Sequence, residues 1–252
     1  MHNGIWRFIV HPPLSPVMNM AIDEAIAITF AQNKTPPTLR LYQWVSPTLT
    51  LGAFQKIDPT LRHFLEINPI TAVRRITGGQ ALLHDQDLTY SIIASTHNPL
   101  FSGGIKKTFY SIAQGLLAGL NQMGVSAGIH TPMRDTTTTR GRSPFCASSL
   151  SWYEIAVDEK KLIGSAQKRW VHHFLQHGSI LLAPSRFEKD LYSMRSIALS
   201  DLLTSLPALS EIENAIQVGF ETAWSIRLEK GSLTSQENQL ANGLVAERST
   251  FL

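Results

Sequence analysis

The single cysteine of the chain, Cys146, lies among Pro, Ser, Thr and Arg residues rather than in an apolar stripe. A lone thiol is commonly a small buried hydrophobe. With a cation or a helix N-terminus nearby, its pKa falls from about 8.5 and the thiolate becomes a nucleophile. Lys161 begins the run Lys161-Leu162-Ile163-Gly164-Ser165-Ala166-Gln167. A lysine at a strand entry is ordinarily a solvated charge. The small residues behind it let a ligand or another backbone approach closely, and a positioned ammonium can stabilise a thiolate or a developing oxyanion. Arg74-Arg75-Ile76-Thr77-Gly78-Gly79 feeds an arginine pair into a glycine turn. Such a turn can present backbone N–H groups to an anion or a carbonyl oxygen; its spacing fits neither a P-loop nor a dinucleotide fingerprint. His84, followed by Asp85 and Asp87, offers a base for Cys146, as in a Cys–His hydrolase acting on thioesters. His173 and His177 have a metal-like spacing of four. However, Gly178 and the apolar run after it make His177 the opening of a strand, and no third ligand or HExxH pattern is near, so no metal site is expected.

The elements that must position these groups can be read from periodicity and punctuation. Val17 to Gln32 reads as a helix, with Ser15 as N-cap and Pro16 at the first helical position. Lys34 to Pro37 breaks the chain, and Leu39–Trp44, Thr48–Phe54, Ala72–Ile76 and Leu88–Ser95 read as strands. Ile105, Phe109, Ile112, Leu116, Leu120 and Met123 form one helical stripe, closed by Gly124. Thr131 to Ser149 reads as a long surface loop. Trp152–Val157 and Leu162–Ser165 read as a hairpin turning at Asp158-Glu159-Lys160, and His177–Ala183 as a further strand. The remainder, from Phe187, looks helical with a break at Ser205–Pro207, and the last dozen residues are expected to fray. The expected fold class is α+β: one domain over residues 1–252, with a mixed or antiparallel sheet of short strands flanked by helices.

Composition narrows the function classes. At 252 residues and 43% hydrophobic, with 16% charged, the chain is neither disordered nor in need of staples. One cysteine excludes a disulfide scaffold and a multi-Cys zinc finger. No apolar run reaches the ~18 residues of a spanning helix and no signal peptide opens the chain, so a cytoplasmic protein without membrane partners is expected. The net charge of +3 divides into +7 over residues 1–186 and −4 over the rest. A basic body suits an acidic partner, but no dense Lys/Arg run of the kind found in nucleic-acid binders is present.

Six segments stand in an order that resembles the catalytic domain shared by biotin and lipoate protein ligases and lipoyl-pathway octanoyltransferases. They are Asn19 to Ala25, Pro47 to Gly52, Arg74 to Gly79, His84-Asp85 running to Ser91, Lys161 to Gln167, and Gln176 to Leu181. Motifs fall between about residues 17 and 185, and the catalytic region is placed at roughly 17–230. Cys146 to Ile155, with Lys161 following, is most similar to the cysteine region of LipM-type octanoyltransferases, and only 68 residues follow Pro184, leaving little room for the accessory domain of long ligases. Gln80 departs from the pattern, standing where ligases carry a third glycine and many LipM-like sequences an arginine.

The resemblance implies an octanoyltransferase of protein lipoylation, with Cys146 as nucleophile and Lys161 lowering its pKa. The octanoyl donor would be octanoyl-acyl carrier protein. The acceptor would be a lysine of a lipoyl-domain protein, either the glycine-cleavage H protein or a dehydrogenase E2 domain. Arg75, Thr77, Gly78, Gly79, His84, Gly164, Ser165, Ala166, His177 and Gly178 would line the substrate site, with the N–H groups of Gly164 to Ala166 holding the oxyanion. A monomer needing no cofactor is expected. An ATP- and Mg²⁺-dependent lipoate or octanoate ligase, and a non-catalytic scaffold for carrier or lipoyl proteins, are the alternatives. Biotin ligase is set aside because its biotin-loop signature is missing.

Overall fold

The computed structural model describes residues 4–130, 153–187 and 196–249. Helix α1 spans Pro16–Ala31; Ser15 Oγ accepts from the Met18 N–H and Pro16 takes the first turn, as the sequence requires. Asn19 and Asp23, one turn apart, fall on its buried face.

Among the described residues the main sheet has eight strands. In chain order they are β1 (Ile5–Val10), β2 (Thr38–Tyr42), β6 (Asp87–Ser95), β7 (Gly128–Ile129), β8 (Ile155–Val157), β9 (Lys160–Arg169), β10 (His173–Leu181) and β11 (Arg227–Lys230). The spatial order is β11-β1-β2-β6-β10-β9-β8-β7. β1 runs parallel to β2 and β11; the other pairs are antiparallel. The β8–β9 turn puts Asp158 and Glu159 at φ 48° and 60°, the left-handed geometry of a tight hairpin. A second, three-stranded sheet of β3 (Thr48–Leu51), β4 (Thr71–Arg74) and β5 (Leu82–His84) has the order β4-β3-β5. The architecture is therefore α+β with a mixed sheet, but with a second small sheet that the sequence did not announce.

Side-chain alternation along β1 sets the layers. Trp6 and Phe8 join Phe101, Ile112, Leu116, Phe174, Phe220 and Trp224 beneath α3 (Ile105–Gln122) and α5 (Leu209–Trp224). Ile9 joins Ile22, Ala25, Ile26, Ile93 and Leu175 on the opposite face, beneath α1 and α6 (Ser235–Ser249). The small sheet buries Leu49, Leu51 and Leu83 against Leu61 and Phe64 of α2 (Pro59–Ile67). A single turn, α4 (Leu199–Leu202), lies between the mid-chain strands and α5.

Several expectations are corrected. β1, β5, α2 and β11 were not anticipated, although Asp58 caps α2 and Pro59 opens it. The strand expected over Leu39–Trp44 stops at Tyr42, and that over Thr48–Phe54 at Leu51. The described part of the tail expected to fray is helical: α6 runs to Ser249, and at its start Thr234 and Glu237 form a reciprocal cap. Glu237 also receives both terminal nitrogens of Arg7 at 2.7 and 2.6 Å, which ties the last helix to the first strand. Among the described residues no helix is long and apolar enough to cross a membrane.

Candidate active site

Two cavities meet at Leu82 and Gly164. The first, about 440 Å³, is walled by Met20, Tyr42, Trp44, His84, His177 and Gly178, with Gly79 and Gly164 to Ala166 completing it. The second, about 590 Å³, holds Lys161 with Asp85, Ser179, Ser196 and Asp201 around it. Thus β9 serves both, with Gly164 thin enough to separate them.

The arginine pair builds the glycine turn. Arg75 donates to the carbonyls of Thr50, Gly78 and Gln80, each at 2.8 Å, and to Thr77 Oγ1 at 3.1 Å. Arg74 donates to the carbonyls of Gly52 and Gln55 at 2.6 and 2.9 Å. Gly79 sits at φ 95°, where glycine is favoured, and a Cβ on Gly52 would lie 1.9 Å from the Gly79 carbonyl oxygen. The departure at Gln80 leaves this brace intact, because Arg75 uses its main-chain oxygen. Thr77 is fully buried and meets His177 Nε2 at 2.7 Å, so it supports the cavity wall from behind.

His84 is fixed by Asp87. Its Nδ1 lies 2.8 Å from Asp87 Oδ2, which also accepts from Ser179 Oγ at 2.6 Å and Thr89 Oγ1 at 3.1 Å. Thr50 Oγ1 accepts from Arg75 at 3.2 Å, donates to the Leu82 carbonyl at 3.4 Å and lies 3.1 Å from His84 Nε2. Trp44 covers the ring with centroids 4.4 Å apart. His173 and His177 are two residues of one face of β10, roughly 13 Å apart along a strand, which rules out shared metal ligation.

A buried polar cluster holds the far wall. Arg40 donates to Asp23 Oδ1 at 2.8 Å, to Asn19 Oδ1 at 2.7 Å and to His11 Nδ1 at 2.9 Å. Tyr42 donates to Asp23 Oδ2 at 2.9 Å, and His177 Nδ1 lies 3.3 Å from the same oxygen. Burial alone would raise the Asp23 pKa, but Arg40 and the His177 hydrogen bond outweigh it and hold the carboxyl below its ordinary value. Burial lowers His177 against the pull of Asp23, so the imidazole is neutral at neutral pH, with Nδ1–H toward Asp23.

His11 gives a pH prediction. Burial and then the Arg40 charge lower its pKa from 6.5 to about 4, and it must stay neutral to accept from Arg40. The unfolded chain takes up that proton first, so stability is full above pH 6.5 and is lost as pH falls toward 4. Allowing for solvent screening at this part-exposed ring, the loss is about 1–2 kcal/mol. Urea midpoints at pH 7 and 4.5 should show it, and His11→Asn should flatten the difference. An unchanged slope in the variant would contradict the assignment.

Tyr90 and Ser165 complete the inner wall. Gln176 donates to the Tyr90 hydroxyl at 3.2 Å, which in turn reaches Ser165 Oγ at 2.6 Å. Burial pushes the Tyr90 pKa up to about 12, so it remains a donor. A Cβ on Gly178 would lie 2.4 Å from the Gly164 carbonyl oxygen and 2.6 Å from Tyr90 Cε1, so β9, β10 and Tyr90 close together only over glycine.

Lys161 is 3% exposed, and its Nζ lies 2.8 Å from Oε1 of Glu154, itself 3% exposed. Pairing of β8 with β9 ends at Ile163, so no strand covers the outer edge of β9 beyond it among the described residues. Cys146 and the loop expected over Thr131–Ser149 lie outside the described residues. The chain leaves the described part at His130 and returns at Tyr153, and these two ends pair: the Tyr153 N–H donates to the His130 carbonyl at 2.9 Å, and the His130 N–H to Glu154 at 2.8 Å.

With this geometry in place, the comparisons are specific. Residues 15–200 match the model of the lipoyl protein ligase A/B catalytic domain. The chain belongs to that family. Among curated members, the octanoyltransferase LipM of Kyrpidia tusciae is 36% identical, over 96% of this chain and 95% of its own length. LipM of Bacillus subtilis is 34% identical, over 94% and 92%. The fold of the lipoyl ligase family is equally clear in solved structures. A lipoate-protein ligase A bound with ATP superposes with a TM-score of 0.78 at 23% identity, over 97% of this chain and 95% of its own. A bipartite lipoate protein ligase from Thermoplasma acidophilum gives 0.74 at 22%, over 97% and 93%.

Eight of the ten expected binding residues line the first cavity; Thr77 backs it, and Gly78 lines a separate cavity with Leu51 and Ile76. Sequence reasoning missed Glu154 and Trp44; it named Asp87 beside His84, and Asp23 only inside the Asn19 to Ala25 segment, without giving either a role in the site. The i, i+4 pair Asn19 and Asp23 on an otherwise apolar helix was the available signal for Asp23. Glu154 carried none, since its partner lies across a hairpin.

Proposed function

We propose that this protein transfers an octanoyl chain from octanoyl-acyl carrier protein to a lysine of a lipoyl-domain protein through a thioester on Cys146. The near-full-length similarity to LipM octanoyltransferases carries this reading. The chain also has a single thiol, and a buried lysine follows it on β9.

In the first half-reaction the Cys146 thiolate attacks the donor's thioester carbonyl, with the Lys161 ammonium beside it. The new C–S bond forms, the carrier's C–S bond breaks, and the carrier thiol leaves protonated. The uncovered edge of β9 at Gly164 to Ala166 supplies N–H groups for the oxyanion. In the second half, a neutral lysine amine of the acceptor attacks the acyl-cysteine, the amide C–N bond forms, the C–S bond to Cys146 breaks, and the proton the amine loses returns to Lys161, leaving the Cys146 thiolate. The acceptor is the H protein or an E2 lipoyl domain; the Thermoplasma neighbour was solved with the E2 lipoyl domain of its own system. Met20, Tyr42, Trp44 and Leu82 give the first cavity an apolar lining for the chain. Burial of its seven alkyl carbons at about 0.8 kcal/mol each supplies roughly 5–6 kcal/mol.

The test compares donors. Octanoyl-acyl carrier protein should octanoylate a lipoyl domain with no nucleotide, over many turnovers. Product only from free octanoate with ATP and Mg²⁺ would instead make the protein a ligase, and no product from either donor would leave a scaffold.

A further inference from the structure

We propose that the groove on the outer side of the glycine turn is where the acyl donor docks, and that it receives an acidic face of the carrier protein with an apolar residue at its centre. The inference rests on the carrier-borne donor of the reading above and adds where that donor sits. The groove, about 1790 Å³, runs between the start of α1, the loop after β3 and the ends of β4 and β9. Phe54 lines it and is 94% exposed, and Ile57, Val17 and Ile76 continue the apolar surface. The loop that carries Phe54 is braced. Arg74 Nη1 donates to the carbonyls of Gly52, Ala53 and Gln55, and the Ala53 N–H donates to the Thr77 carbonyl at 2.8 Å. An aromatic ring held in water by a braced loop has the form of an interface anchor, because little order is lost when a partner covers it.

Charge selects the occupant. Arg74, Arg75 and Lys168 are among the described residues that line the groove, and no carboxylate is. The bonds of Arg74 run to carbonyl oxygens, which leave its positive charge in place. Such a surface attracts an acidic partner and speeds its encounter. It also separates the two substrates. The acceptor must bring a lysine to the site, and these cations repel an incoming ammonium; the reactive end of the donor is a neutral thioester. The groove adjoins the acyl site directly. Arg75 lines both the groove and the first cavity, and in the turn between them Gly78 lines the groove and Gly79 the cavity. A carrier seated on Phe54 thus has only the glycine turn between its docking face and the cavity that takes the acyl chain.

The test reads binding and needs no turnover. Fluorescently labelled carrier protein, bearing octanoyl through a non-transferable amide, is titrated with the full-length protein, and anisotropy gives the Kd. Phe54→Asp and Lys168→Glu should each raise it by about tenfold or more. Added salt should weaken binding less steeply in Lys168→Glu than in the parent. Lys230→Glu makes the same charge change on edge strand β11, away from the groove, and should stay within about twofold of the parent. With octanoyl-N-acetylcysteamine, a thioester too small to use the groove, Phe54→Asp and Lys168→Glu should transfer at the parent's rate. A parent that does not bind carrier, or folded Phe54→Asp and Lys168→Glu that bind it as the parent does, would overturn the proposal. So would loss of lipoyl-domain binding with carrier binding intact, which would make the groove the acceptor's. A parent dimer that these variants break while carrier binding persists would also overturn it, in favour of a contact between copies. A parent that binds carrier through the groove but yields no octanoylated product would refute the octanoyltransferase reading and leave the docking surface standing.

Discussion

Lys161→Met should slow formation of the octanoyl-thioester on Cys146 by about 10²–10³-fold. Two effects combine. The thiolate fraction at neutral pH falls when the Lys161 ammonium is gone, and the departing carrier thiolate loses its proton source. The same change leaves Glu154 buried without its counter-charge and should cost about 3–5 kcal/mol of stability, so the rates are compared on folded protein. Rapid-quench measurement of single-turnover acylation separates these steps from acceptor transfer. Acylation within threefold of the parent would show that Lys161 is a structural ion-pair partner and nothing more.

A second large effect is expected at the opposite wall. Asp23→Ala removes the carboxylate that holds Arg40, Tyr42 and His177, and leaves the Arg40 guanidinium fully buried without its counter-charge. Breaking one side of a buried pair costs about 3–5 kcal/mol. The urea midpoint should drop accordingly, and His177 should lose its fixed orientation in the cavity wall. A midpoint shift equivalent to less than about 1 kcal/mol would mean that Asn19 and His11 hold Arg40 well enough alone. Asp23→Asn should fall between the two, since it keeps one acceptor for Arg40 and for Tyr42.

What the residues revealed in advance followed from local physics. Ser15-Pro16 fixed the start of α1, and the stripe from Ile105 to Met123 fixed α3, because capping and amphipathic period act within a few residues. The Asp158-Glu159 turn was readable for the same reason. β1 and β11 were not, since a parallel pair between residues 5 and 230 leaves no local mark. The tail was expected to fray because its periodicity is poor; the Arg7–Glu237 pair that anchors it spans nearly the whole chain. The site divides in the same way. Gly78-Gly79, His84 and Lys161 could be singled out from residue type and order, together with the family resemblance. Asp87, three residues from His84, was already in view beside it, whereas Glu154, the partner of Lys161, becomes visible only across the β8–β9 hairpin. The resemblance placed Arg75 in the substrate site; it lines the first cavity, and its nitrogens reach the carbonyls of Thr50 on β3 and of Gly78 and Gln80 in its own turn.

The central claim is a covalent octanoyl-cysteine, and intact-protein mass tests it most directly. The protein is mixed with octanoyl-acyl carrier protein in the absence of nucleotide and acceptor. One octanoyl increment should appear, disappear with hydroxylamine, and be missing from Cys146→Ala. No increment on the parent protein, or an increment retained in Cys146→Ala, would contradict the account.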